Sequence, residues 1–161
     1  MKKSQNGWPA SPDQKEIGIK EFKIKNANRK MRLQKDAGVI LAAFAADFHA
    51  QVEPIDEGVF DDWGFAYREV RGSDTDLSNH SSGTAIDLNA TKHPLGKKGT
   101  FTKEQVKIIR ELCEKYGLRW GGDYKNRIDA MHYEIVETPD QVKARIKNMK
   151  LRRRISWPKQ K

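Results

Sequence analysis

The spacing of apolar positions changes several times along the chain, and each change predicts an element. Residues 1–16 look irregular, with Pro9 and Pro12 among small polar residues. Ile17, Ile19, Phe22 and Ile24 alternate with charges, which predicts a short extended segment. From about Gln34 to Val52 the chain is rich in Ala, Leu and Phe with few breakers, which predicts a largely buried helix ended by Pro54. Residues 53–64 are acidic and turn-like. Trp63–Val70 then alternates as a strand, residues 71–83 form a polar loop, and Thr84–Asn89 alternates again. Thr102 and Gln105 make a capping box that opens a helix with Val106, Ile109, Cys113 and Tyr116 on one face, closed by Gly117. Arg119–Asp123 reads as a strand end and turn. Met131–Val136 is a strand with His132 and Glu134 on one face and Met131, Tyr133 and Ile135 on the other. Thr138 and Gln141 form a second capping box with Pro139 in the first helical position, starting a helix to about Met149. No internal repeat is visible. The order of elements implies an α+β fold with a small antiparallel sheet.

Composition sharpens this picture in two ways. A chain of 161 residues with 37% hydrophobic residues suits one domain, expected over 1–149, followed by a basic C-terminal tail over 150–161. Cys113 is the only cysteine, so no intramolecular disulfide forms, and its place on an apolar helix face makes it an inert core residue. The net charge of +9 is uneven: residues 1–35 hold ten Lys and Arg against three acids, and residues 150–161 hold six against none. The basic ends suit a polyanionic partner such as nucleic acid, an anionic membrane or wall teichoic acids, or else serve as solubilising tails. The N-terminal stretch has lysines but no apolar h-region, so a secretory signal is not expected, and no segment approaches a membrane span.

Three stretches then stand out together: Ser78-Asn79-His80, Gly83-Thr84-Ala85-Ile86-Asp87 and Asp129-Ala130-Met131-His132-Tyr133-Glu134. Two histidines and one carboxylate leave the fourth position of a tetrahedral zinc open for water, and Asp129 lies where it could take a proton from that water. Seven residues of helix would separate His80 and Asp87 by about 10 Å, too far for one ion. A loop must therefore fold back, and Ser81-Ser82-Gly83 supplies one, with Gly83 free to take positive φ.

With Arg119-Trp120-Gly121-Gly122-Asp123-Tyr124 and the N-terminal Asn6-Gly7-Trp8-Pro9, these motifs resemble the zinc D-Ala-D-Ala carboxypeptidase/L-Ala-D-Glu endopeptidase family, which includes VanY- and VanX-type enzymes and phage endolysins. The resemblance runs from Asn6 to about Ile135. It implies a Hedgehog/DD-peptidase-like fold whose central antiparallel sheet, flanked by helices, carries one zinc. It also implies His80, Asp87 and His132 as ligands, Asp129 as catalytic base, and an arginine that stabilises the oxyanion, here Arg68 with Arg71 in reserve. Arg71, Ser78, Trp120 and Tyr133 are the candidate substrate-binding residues, although Trp120 and Tyr133 suit core packing equally well. Dipeptidase members tend to have Glu at the base position, so Asp129 resembles the endopeptidase branch. No separate wall-binding module is recognisable.

The resulting expectation is a monomeric zinc peptidase acting on bacterial peptidoglycan stems, with neither nucleic acid nor membrane as partner. Its basic termini would touch anionic wall polymers. Without an export signal it is expected to act as a phage endolysin, held in the host cytoplasm before lysis and cutting the L-Ala-D-Glu bond; D-Ala-D-Ala carboxypeptidase action is the alternative. Two His and a carboxylate also define a non-haem iron oxygenase triad, but those sites favour a close His-x-Asp/Glu pair and need no base at Asp129. A non-catalytic wall- or nucleic-acid-binding protein would explain the charge and leave the metal constellation without a purpose. His49 reads as a structural residue, and His93 as either a groove residue or a surface-loop one.

Overall fold

The Ala- and Leu-rich run forms helix α1 (Ala37–Gln51), whose Ile40, Leu41, Phe44 and Phe48 are fully buried. The side chain of Gln34 closes its start, accepting from the backbone N–H groups of Asp36 and Ala37 at 2.7 and 3.0 Å. The expected helix began three residues earlier. Gln34 instead ends a strand, β4 (Lys30–Gln34), paired antiparallel with β3 (Ile19–Lys23), and Lys35 and Asp36 form the turn into the helix. Only Met31 and Leu33 mark β4 as half-buried, too short an alternation to stand out in a Lys- and Arg-rich stretch. The ring of Phe22 fills the place a Cβ on Gly38 would take, seating this hairpin directly on α1.

Helix α2 (Lys103–Tyr116) carries the expected capping box: Thr102 Oγ1 accepts from the Gln105 N–H at 3.1 Å, and Gln105 Oε1 accepts from the Thr102 N–H at 2.9 Å. Gly117 closes it at φ 68°. Ile109, Leu112, Cys113 and Tyr116 are buried, and Tyr116 meets the Phe44 ring edge-on at 6.1 Å. Helix α3 (Pro139–Ser156) starts from the second capping box and runs on beyond Met149. The computed structural model describes the backbone of residues 1–156 and the side chains of residues 1–150; the end of the basic tail, 157–161, lies outside the described residues.

The central sheet has three antiparallel strands, β5 (Ala85–Asp87), β7 (His132–Ile135) and β6 (Leu118–Trp120), with β7 in the middle. Its register places Asp87 opposite His132 and Trp120 opposite Tyr133. Strand alternation gives the two faces different tasks. Tyr133 packs against Phe44 and Phe48, with ring centroids 4.8 and 5.7 Å away, while His132 and Glu134 face away from that core. The two short strands β1 (Lys2–Lys3) and β2 (Pro9–Ala10) pair with each other, adding order where the N-terminus reads as irregular.

Trp63–Val70 is not a strand. It is an irregular segment with isolated bridges at Trp63 and Glu69, and its backbone groups bond to several partners in turn: Phe65 to Arg32, Ala66 to His80, Arg68 to Ser81. Its alternation therefore reflects contacts on successive sides rather than a ladder. Among the described residues the arrangement is α+β, with three α-helices and small antiparallel sheets. No helix among the described residues is long and apolar enough to cross a membrane.

Candidate metal centre

His80 sits on a short 3-10 turn (Asn79–Ser82) that reverses the chain between the irregular segment and β5. Ser78 caps the turn, its Oγ accepting from the His80 N–H at 3.3 Å. Gly83 ends it at φ 68°, in a space where a Cβ would press on Ile19 and the backbone of Gln34. The N-terminus braces the turn from outside: Asn6 Nδ2 donates to Thr84 Oγ1 at 2.8 Å and to the Ile135 carbonyl at 2.9 Å, and the Asn6 N–H donates to Asn79 Oδ1 at 2.9 Å. Seven residues of sequence thus become a tight reversal, and His80 lands beside Asp87.

Among the described residues, one group of His, Cys, Asp or Glu could hold a metal ion: His80, Asp87 and His132, all buried. Their inner atoms form a nearly equilateral triangle: His80 Nε2 to Asp87 Oδ1 3.2 Å, His80 Nε2 to His132 Nδ1 3.2 Å, and His132 Nδ1 to Asp87 Oδ1 3.0 Å. Zinc bonds of about 2.0–2.1 Å at tetrahedral angles put ligand atoms about 3.3 Å apart, so the triangle fits that ion. The outer nitrogens are already committed. His80 Nδ1 donates to the Gly64 carbonyl at 2.7 Å, and His132 Nε2 donates to Glu134 Oε2 at 3.0 Å. Each bond fixes a tautomer that turns the other nitrogen's lone pair inward, the arrangement metal-binding histidines require.

Electrostatics favours a cation in the same place. Burial alone would raise the Asp87 carboxyl, but the imidazoles beside it hold it well below the usual carboxylate range. Burial opposes a charge on His132, yet its bonds to Asp87 and Glu134 push its pKa up to about 10. Glu134, despite burial, is held at about 2 by His132, Tyr124 and Asn79. Tyr124 Oη donates to Glu134 Oε1 at 2.7 Å, and Asn79 Nδ2 donates to Oε2 at 2.6 Å. Burial and the neighbouring Glu134 raise the Tyr124 hydroxyl far above its ordinary value and keep it a donor.

Asp129 lies on the turn just before β7, its N–H bonded to the Gly121 carbonyl at 2.9 Å and its own carbonyl accepting from the His132 N–H at 3.1 Å. A Cβ on Gly121 would collide with the Asp129 carbonyl, so only glycine lets the turn sit this close. Oδ1 of Asp129 is buried without a hydrogen-bond partner among the described residues. Such an acceptor is costly unless the atom is used. Burial raises this carboxyl, with His132 opposing and Asp87 adding to the rise. A carboxylate so placed can accept a proton from a nucleophilic water.

A groove of about 550 Å³ runs along this face, lined by Asp87, Asp129, His132 and Glu134 together with Arg68, Arg71 and Ser78. Trp120 and Tyr133 are not in it. Both are buried, which corrects their placement as substrate-binding residues. Tyr133 belongs to the core face of β7. Trp120 donates its indole N–H to the Ala130 carbonyl at 2.9 Å, so it supports the turn that carries Asp129. His93 is neither groove nor surface loop: it is buried and bonded on both nitrogens. His49 accepts from the Ile55 N–H at 3.1 Å, a structural role, and Cys113 is buried with its thiol pushed up to about 12 by burial and the charge of Asp123. Glu134 is the residue whose task the sequence left open, although its place beside His132 on one strand face was legible.

Residues 71–135, which carry the three potential ligands and Asp129 but not Arg68, match the model of a family described as D-alanyl-D-alanine carboxypeptidase. No curated protein and no solved structure matches the chain. Peptidases of that family are zinc-dependent, and the match supports a metallopeptidase of the kind that acts on peptidoglycan.

Proposed function

We propose that this protein is a zinc peptidase that hydrolyses the peptide stems of bacterial peptidoglycan, with a Hedgehog/DD-peptidase-like fold and the ion on the central sheet. The observation that carries this reading is the donor triangle of His80, Asp87 and His132 beside the buried, unpartnered Asp129 oxygen. Bound there, zinc would supply Lewis-acid polarisation of the reacting oxygens. Asp129 accepts the proton of the attacking water and returns it to the leaving amine. Arg68, exposed in the groove and close enough for its charge to act on Asp129, faces the developing oxyanion, and Arg71 lies farther along the same bank. Glu134 holds His132 in its metal-facing orientation.

The proposed cut is the L-Ala-D-Glu bond, as in an endolysin, because the base position carries Asp129 rather than Glu. The description of the matching family favours a second reading, removal of the terminal D-Ala from D-Ala-D-Ala. The peptidase domain is proposed to span 1–149 and to act as a monomer, while the basic ends draw it to anionic wall polymers.

Elemental analysis together with mass spectrometry of digested peptidoglycan tests this. One zinc per chain and freed L-Ala ends are expected. Released D-Ala with intact L-Ala-D-Glu linkages would transfer the assignment to the second reading, and a metal-loaded protein that cuts neither bond would end both.

A further inference from the structure

The groove has two banks. The ligand strands β5 and β7 lie between them. One bank is the irregular segment bridged to β5 through Trp63 and Asp87; the other is formed by β6 and the loop that follows it. On the first bank Arg68 and Arg71 line the groove. On the second, Arg119, Lys125 and Arg127 line the groove with two acids, Asp123, which is paired with Arg110 at 2.8 Å, and Asp129, the proposed base. Arg119 rests over the Tyr124 ring at 4.6 Å and reaches Glu134 only at 4.0 Å. Lys125 and Arg127 are exposed and form no ion pair among the described residues. Three cations therefore line the β6 side of the metal centre, where the ligand strand's own acid, Glu134, is already committed to three donors.

We propose that Arg119, Lys125 and Arg127 form a carboxylate-binding subsite, which holds the acidic part of the peptide over β6 while the scissile bond lies over the metal centre. This deepens the peptidase reading and rests on it. The subsite selects stems that carry a free carboxylate next to the cleaved region and disfavours stems in which that group is amidated. Guanidinium and ammonium groups on an open bank bind a carboxylate by charge-assisted hydrogen bonds, and an amide replaces the charge with a weaker acceptor. The bank acts on binding. It lies beside the reacting atoms and does not include them, so its signature is in KM rather than kcat.

The test uses the zinc-loaded full chain and two synthetic stems, N-acetyl-L-Ala-γ-D-Glu-L-Lys-D-Ala-D-Ala, in which the D-Glu α-carboxylate is free or amidated. Amidation is expected to raise KM about tenfold, the effect of losing one charge-assisted contact, with kcat changed less than about twofold. The double variant Lys125→Ala/Arg127→Ala is expected to bind the free-acid stem about tenfold more weakly and to lose the distinction between the two stems. Equal KM for both stems in the unaltered protein overturns the subsite, as does a double variant that keeps the amidation penalty. A double variant that loses affinity for isolated teichoic acid yet still discriminates between the stems assigns the bank to wall phosphate instead. Cleavage of neither stem is a different failure, because it removes the peptidase reading itself.

Discussion

Two buried histidine–carboxylate clusters lie among the described residues, and they are built to opposite ends. At His93 both ring nitrogens are consumed: Nδ1 bonds Thr100 Oγ1 at 2.7 Å, Nε2 bonds Glu53 Oε1 at 2.6 Å, and the ring stacks on Phe101 at 3.7 Å. Nothing is left to bind a ligand, and the cluster ties the end of α1 to the loop before α2. At His80 and His132 only the outer nitrogens are consumed, and the inner ones converge on Asp87. A buried histidine is thus functional or structural according to where its second lone pair points, and neighbouring acceptors decide that.

The largest expected effect separates the two clusters directly. His80→Ala and His132→Ala should each lose the metal and essentially all turnover, whereas His93→Ala should keep both; zinc content and peptidoglycan hydrolysis read this out. Full zinc retention in both ligand variants would remove the assignment. Asp129→Ala should come next, with metal and fold kept and kcat lowered by about 10²–10⁴, the usual contribution of a general base. Arg68→Ala should also lower kcat with zinc retained, and greater damage from Arg71→Ala would move the oxyanion role to that residue.

Glu134→Ala should weaken zinc binding by about 10- to 100-fold, measured by competition with a chelator, because the bond that orients His132 is lost. Glu134→Gln should cost less, since an amide oxygen can still accept from Nε2. Unchanged affinity in Glu134→Ala would show that the sheet alone aims His132.

The smallest effect belongs to the structural cluster. Glu53→Gln should cost about 1–3 kcal/mol of stability by weakening a buried charged hydrogen bond, with metal content unchanged. Burial opposes the Glu53 charge, but the bonds from His93 and Asn89 hold its pKa below the ordinary 4.5. A carboxylate depressed in the folded state stabilises above its unfolded pKa and loses that contribution as pH falls through the folded value. Denaturant unfolding below about pH 4.5 should therefore show a steeper loss in the unaltered protein than in Glu53→Gln. Parallel pH profiles would deny the pair this role.

Much of this was legible in the residue order. Both capping boxes, the buried α1 run, the alternation that sets His132 and Glu134 against Tyr133, and the need for a reversal at Gly83 follow from local chemistry, because caps, periodicity and positive φ are properties of a few adjacent residues. Local pattern misled where partners are distant. Trp63–Val70 alternates like a strand but bonds to Arg32, His80 and Ser81 in turn. β4 was hidden for a local reason, because only Met31 and Leu33 mark it as half-buried. Trp120 and Tyr133 are aromatic residues beside site motifs, and only the packing of α1 and the Asp129 turn showed that both are buried supports. The sequence by itself determined which residue types could hold a metal and which could take a proton. The tertiary structure decided that three donor atoms 3.0–3.2 Å apart face one point, that Glu134 fixes one of them, and that Arg119, Lys125 and Arg127 line one bank of the groove. The donor atoms belong to residues up to 52 positions apart, and only the folded chain sets their distances.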